Sequence, residues 1–491
     1  MTFQVRLDSQ LSSFTPAGTV FGATVISPLI VDGRVMIPSH SIVHGTVRKA
    51  APVGLGVRRE RAVIELEFHD YQLPDGETHD LDFQLQSIDN SREEVDKTGR
   101  INGALVADAP HKFLWGIWYW PSEAFWSHSP LGLTGASGVL FTRYAMGPFG
   151  AAGLMATRYV AFPLPDPEIN LPAGTELRLR AMAVPDGPST APDPEGELED
   201  SVVARLRDAP AQVLKPDGKN GGDIINLAFV GDRDELRNAF AAAGWLPADP
   251  LNKYTFTRFA RAFSTMGNYP TAPVSTLLYR GAEPALVFQK SLNTIARRHH
   301  IRIWSSDAIQ ANSASRFADH GDGPAVWVGA ATHDTGITAG AISTILTHTV
   351  DPHLDVERSK VVEDLKFAGC VANVSHFDRP ELARQAQKEP GMITDGRLVV
   401  IELKPCFPGM SNEPLHAPPS KSTAAMIIRR VMLETRQYVF RDNIYYTVRT
   451  LLQRRATLRA DRSGDDPIRP LAAAPVQVAS SAAGGSPISS K

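Results

Sequence analysis

The densest set of residues able to do chemistry is "ARRHHIRIW", residues 296–304, which places Arg297, Arg298, Arg302, His299, His300 and Trp304 within nine positions. A guanidinium offers a planar fork to phosphate or carboxylate, an imidazole changes charge near neutral pH, and an indole offers a ring face. An extended strand alternates its side chains, so His299, Ile301 and Ile303 point one way and His300, Arg302 and Trp304 the other. The first set suits a core. The second suits an anionic ligand, with Arg302 as its clamp, His300 as a hydrogen-bond donor, Trp304 as a ring and Arg298 as an attracting charge. A structural alternative stays open, in which His300 and Arg302 pair with acids on neighbouring strands and Trp304 packs.

Two later segments extend the set. In "GDGPAVWVGAATHDTGI" an extended backbone puts Trp327 and His333 on one face and Asp334 on the other, so that His333 or Asp334 could meet His300 across a sheet. Asp334 equally suits the turn at "HDTG", and Trp327 suits a core. "HTVDPHLDVERSKVVEDL" adds His348, Asp351, His353, Asp355, Glu357 and Arg358. Imidazoles with carboxylates hold divalent metals, and a metal polarises a phosphoryl oxygen or activates water. His300, His333, His348 and Asp351 are the candidate ligands for such an ion, with Asp334 as base. The spacing matches no HExxH or EF-hand arrangement, and helix capping explains Asp351, Asp355 and Glu357 without a ligand.

Other chemistries lack their motifs. The sequence has no GxSxG elbow, no P-loop, no strand leading into GxGxxG and no kinase signature set. With 50 Lys plus Arg against 53 Asp plus Glu, no global field points toward nucleic acid. Cys370 and Cys406 form no zinc motif; they could pair in an oxidising compartment, although spacing does not decide it. Cys370 lies in the apolar stretch "FAGCVANV" and suits a buried position.

The elements that must position these residues differ along the 491-residue chain. From Phe3 to about Asp89, alternating runs such as "AVIELEF" and "LDFQLQ", punctuated by "VDGR" and "PDGE", predict half-buried strands of a barrel or sandwich. A Gly-rich hydrophobic insertion follows at 131–165, too short between its arginines to span a membrane. "EINLPAGTELRLRAMAV" then supplies a strand that returns to the β-domain and closes it, so this domain covers 1–183. Residues 184–221 are read as a linker because "VPDGPSTAPDPEGEL" cannot bury a core. A second domain, 222–408, has an α+β pattern. "DIINLAFVGDRDELRNAFAAAGW" gives strand, turn and amphipathic helix, with Leu236, Phe240 and Ala243 on one face and Gly244 at the C-cap. Strands are expected at "STLLYR", "ALVFQK", "HHIRIW", "AVWVGAAT", "CVANVSHF" and "RLVVIEL", and a helix at "DVERSKVVEDLKFAG". A Pro-rich break and a basic amphipathic helix occupy 409–462, with eight arginines between 425 and 460 against two acids. Such a helix suits an anionic membrane surface, its own domain or a dimer. The tail, 463–491, has a disordered composition.

The ordered string from "NLAFVG" and "AAGW" through "YPTAPVS", "ALVFQK", "RHHIRIW" and "GPAVWVGAATHDTGI" to "HTVDPHLDVERSKVVEDL" resembles the LssY-like C-terminal domain family over about residues 222–405. That resemblance implies a bacterial protein of the kind often joined to multi-pass membrane modules, neither type of which is visible in this sequence. It supplies no catalytic residues. "IPSHSIVHGTV" with "LPDG" resembles the periplasmic β-barrels of conjugation-type secretion proteins, which carry "IP-x-G-x-x-x-x-G-x-V" before an "L-x-D-G" turn. Together the resemblances imply a cell-envelope or periplasmic setting. The start, "MTFQVRLDSQ", has no signal-peptide pattern, which leaves the cytoplasm as the alternative. The expected function is binding of an anionic, phosphate-bearing small molecule or lipid head group, with peripheral membrane contact. Metal-assisted phosphoester hydrolysis and a non-catalytic structural or assembly role are the alternatives.

Overall fold

The computed structural model describes residues 1–54, 59, 61–89, 92–103, 167–264, 268–293, 297–307, 325–338, 347–388, 391–406, 428–429 and 432–433. The expected Gly-rich insertion at 131–165, the tail at 463–491 and nearly all of the basic segment at 409–462 lie outside them.

Six strands close into an N-terminal barrel: β1 (Thr2–Leu7), β2 (Val20–Ser27), β3 (Ile42–Ala51), β4 (Val63–Gln72), β5 (Thr78–Ile88) and β6 (Glu176–Ala181). Their order is β3-β2-β1-β6-β5-β4, and β3 pairs β4 to shut the ring, with every neighbouring pair antiparallel. The strand expected to return and close the domain does so, as β6 between β1 and β5. Alternation is the cause of the closure: Phe3, Val5 and Leu7 of β1 are buried while the residues between them are not, so one face fills the interior. Two positions of the secretion-barrel pattern have physical reasons. Ser39 is expected at the pattern's first Gly, but the left-handed conformation that favours glycine falls one residue later, at His40 with φ +69°. At Gly45 a Cβ would meet the Phe21 ring at 2.6 Å and the Glu67 carbonyl at 2.7 Å.

The second domain is a mixed sheet with helices on both faces. Its strands are β7 (Leu227–Val230), β8 (Leu246–Pro247), β9 (Leu286–Ser291), β10 (Arg298–Ser305), β11 (Val326–Thr338), β12 (Thr347–Val350), β13 (Val371–Asp378) and β14 (Arg397–Leu403). They run in the order β8-β9-β10-β11-β7-β14-β13, with β12 beside β11; β7 and β14 are parallel and the other pairs antiparallel. Five helices are described in this domain: α1 (Asp200–Arg207), α2 (Arg233–Ala242), α3 (Lys253–Ser264), α4 (Leu354–Phe367) and α5 (Pro380–Ala386). The expected apolar face of α2 is buried through Leu236 and Phe240, Asp232 and Glu235 form a reciprocal capping box, and Gly244 has φ +82°.

The domain begins earlier than the sequence suggests. Residues 184–221 hold α1, whose Val202 and Leu206 join the core with Val213, so this stretch is more than a linker. "STLLYR" makes isolated bridges at Leu278 and Tyr279 in place of a strand, and α3 and α5 were not anticipated. Leu433, in the C-terminal segment, is buried against the barrel core.

One apolar layer, with α2 and α4, covers one face of the sheet; a second, with α1 and α5, covers the other. All of β10 from Arg298 to Trp304 is therefore buried. Cys370 and Cys406 form a disulfide that ties the start of β13 to the chain just after β14. The barrel docks on α4, where His40 stacks on Phe367 with ring centres 4.6 Å apart and the Arg6 guanidinium lies 5.0 Å from the same ring.

Candidate functional site

The expected ligand face of β10 points into the second apolar layer, and its charged groups are bonded within the fold, while the Trp304 indole Nε1 is buried without a hydrogen-bond partner among the described residues. Arg302 donates to Asp223 at 2.5 Å and to the carbonyl and hydroxyl of Ser275 at 2.9 and 3.0 Å. Arg298 pairs with Asp334 at 2.9 Å and donates to the Ala272 and Pro273 carbonyls and to Gln289. His300 Nε2 lies 2.7 Å from the Thr332 hydroxyl, and its Nδ1 lies 3.6 Å from Asp334. Trp304 is fully buried beside Tyr279. This arrangement gives no support to Arg302 as clamp, His300 as donor, Trp304 as ring platform or Asp334 as base. A sheet covered on both faces turns this row into structural pairs, and neither Arg302 nor Asp334 lines the cavity between the two domains. The open structural alternative at Arg302 is the arrangement found, and Asp334 does meet His300 across the sheet.

The cavity is on the other face. Its volume is about 380 Å³, and it lies between the barrel and the second domain. Asp89 follows β5, and Glu176 and Arg178 belong to β6; β10 and β11 bring His299 and His333, and α4 brings Glu357 and Lys360. Opposed positions in the β10–β11 pairing place the His299 and His333 rings in a stack with centres 4.5 Å apart. His299 is held at both nitrogens, Nδ1 to Glu357 at 2.7 Å and Nε2 to Asp89 at 2.8 Å. Burial pulls the His299 imidazolium down, but the Asp89 and Glu357 carboxylates outweigh it and push its pKa up to about 10. Asp89 responds in kind: burial raises its carboxyl, and His299 more than compensates, leaving it below the usual carboxylate range. His333 goes the other way. Burial and the His299 cation lower it, so its imidazole is neutral near pH 7. Its Nε2 is buried with no hydrogen-bond partner among the described residues, and its Nδ1 lies 3.9 Å from Asp351.

Beneath these residues runs a buried ionic network that joins the domains. Glu176 receives Arg6 at 3.0 Å, Lys290 at 2.5 Å and Lys360 at 2.7 Å. Asp364 receives Lys290 at 3.1 Å, Lys360 at 2.6 Å and the Trp245 indole at 3.0 Å. Burial raises the Glu176 carboxyl, yet Lys290, Lys360 and Arg6 hold it well below its ordinary range. Removing one partner of such a set leaves a buried charge uncompensated.

Of the expected metal ligands, His333 and Asp351 come together at this cavity. His300 lies on the opposite face of β10, and His348 pairs with Ile337 farther along β11, so the set His300, His333, His348 and Asp351 does not form. Asp351 accepts the His353 amide at 2.9 Å, while Asp355 accepts from Thr394 and the Asp395 amide in place of capping α4. Sequence reasoning left Asp89, Glu176 and Arg178 without a role and gave His299 to the core. The one signal for His299 was its place beside His300; for Asp89, 210 residues away, there was none.

Residues 206–398 match the family model described as LssY C-terminus. The second domain carries the match to the LssY C-terminus family. A search of curated proteins found no match. The LssY C-terminus domain supplies His299, His333, Glu357 and Lys360 to the cavity, and the barrel, outside the matched residues, supplies Asp89, Glu176 and Arg178.

Proposed function

We propose that this is a cell-envelope protein that binds a small anionic, phosphate-bearing ligand in the cavity between its barrel and its LssY C-terminus domain. The observation that carries the reading is Arg178. It lines the cavity and has no ion pair within bonding distance among the described residues, whereas Asp89, Glu176 and Glu357 are already matched by cations. Its recorded electrostatic neighbour is the Glu363 carboxyl, whose pKa burial pushes up to about 7, and a guanidinium so placed can take a phosphate through paired hydrogen bonds. The envelope setting draws support from the Cys370–Cys406 disulfide, since such bonds persist in oxidising compartments, and from the resemblance of the barrel to periplasmic ones. Membrane contact through residues 131–165 and 409–462 belongs to the same proposal. Metal-assisted phosphoester hydrolysis is the second reading, favoured by the imidazoles and carboxylates gathered around His299.

Calorimetric titration of inorganic phosphate and of glycerol 1-phosphate into the full chain tests the primary reading. Loss of a charged hydrogen-bonding partner costs about 1.5–3 kcal/mol, so Arg178→Ala weakens binding by about 10- to 100-fold. Tighter binding of glycerol 1-phosphate identifies a head-group ligand, and equal binding identifies phosphate itself. Binding of neither probe, or binding unchanged in Arg178→Ala, contradicts the reading.

A further inference from the structure

We infer that Asp89, His299 and His333 form a divalent transition-metal site of the zinc class, completed only when the barrel is docked on the LssY C-terminus domain. Each residue offers one ligand atom, and these atoms lie within 4.8 Å of one another. Two nitrogens and one carboxylate oxygen suit zinc and disfavour calcium or magnesium, which take oxygen ligands. The set matches the three-ligand pattern of sites that keep a fourth position open, and here that position faces the cavity.

Three features prepare these side chains for an ion. Glu357 accepts from Nδ1 of His299, the carboxylate–histidine arrangement that fixes a ligating ring, and so aims Nε2 at Asp89. Nε2 and the Asp89 carboxylate already face each other at 2.8 Å, and an ion bound between them would displace any proton they share. His333 adds an imidazole on the neighbouring strand whose Nε2 is buried and has no hydrogen-bond partner among the described residues. Tetrahedral zinc with bonds of about 2.1 Å places its ligands about 3.4 Å apart, so on binding the Asp89–His299 pair, at 2.8 Å, opens slightly while the wider separations, up to 4.8 Å, close. That motion is within reach of side-chain rotation. Asp89 sits beyond the end of β5 while both histidines sit on the second domain's sheet, so neither domain holds a complete set.

This inference deepens the phosphate reading and rests on the same cavity, with the ion's open position presented to a phosphoryl oxygen. The test uses the untagged full chain, stripped with chelator and dialysed against zinc, with metal measured by mass spectrometry. The expected result is one zinc per chain. Asp89→Asn and His333→Gln each weaken binding at least tenfold, Glu357→Gln weakens it about 10- to 100-fold, and His300→Gln leaves it unchanged. X-ray absorption of the wild-type complex gives a reading independent of how the variants fold, and two imidazoles with oxygen ligands are expected. Absence of stoichiometric zinc, a shell without imidazole, or affinity unchanged in both Asp89→Asn and His333→Gln overturns the site. Phosphate titrated into chelated protein separates the two ideas. If it binds while zinc does not, the phosphate reading survives alone. If zinc binds to wild type and Arg178→Ala alike and phosphate binds to neither, the ion survives alone.

Discussion

At the scale of single residues, neighbouring side chains on one strand have opposite fates. His299 reaches the cavity, whereas Arg298, His300 and Arg302 on the other face of β10 have settled into structural pairs. Arg302 therefore belongs to stability. Arg302→Ala leaves Asp223 facing a buried void and is expected to lower the unfolding free energy by about 3 kcal/mol, measured by chemical denaturation. The same substitution leaves zinc and phosphate binding in the folded fraction unchanged. Near-wild-type stability with lost ligand affinity would restore Arg302 to a binding role.

At the scale of elements, the strands of both domains were largely legible because period-two alternation and turn residues are local. The closing strand β6 could be placed from "TELRLRAM", and α2 from its cap and its Leu236–Phe240 face. What local pattern cannot express is how many faces of a sheet are covered. "HHIRIW" has the two faces that alternation predicts, one suited to a core and the other to a ligand, yet both are packed and His299, on the expected core face, lines the cavity. Asp89 was out of reach for a related reason: its function depends on docking between domains, and no spacing encodes that. The barrel also shows why one glycine is required. Because a Cβ at Gly45 would press on the Glu67 backbone carbonyl, Gly45→Ala is expected to destabilise the barrel by about 1–3 kcal/mol, seen as a lower midpoint in thermal unfolding. An unchanged midpoint would mean that β3 and β4 part without strain.

At the scale of the whole molecule, the barrel and the LssY C-terminus domain share an interface more polar than a core. Arg6, Glu176, Lys290, Lys360 and Asp364 are buried together, and His299 is gripped from both sides by Asp89 and Glu357. Hydrophobic burial alone would not require such a network, and its desolvation cost is high. The network spans the two domains where Asp89 and Arg178 meet the two histidines. The central claim is that the shared cavity, and not the Arg302 face, is where ligands act. Hydrogen exchange of the full chain, with and without zinc plus inorganic phosphate, tests it most directly, because protection reports which segments a ligand stabilises. The expected result is added protection in residues 85–89 and 176–178 of the barrel together with 297–299, 332–334 and 351–360 of the second domain. Protection confined to 273–275 and 302–304, or to the second domain with the barrel unaffected, would contradict it.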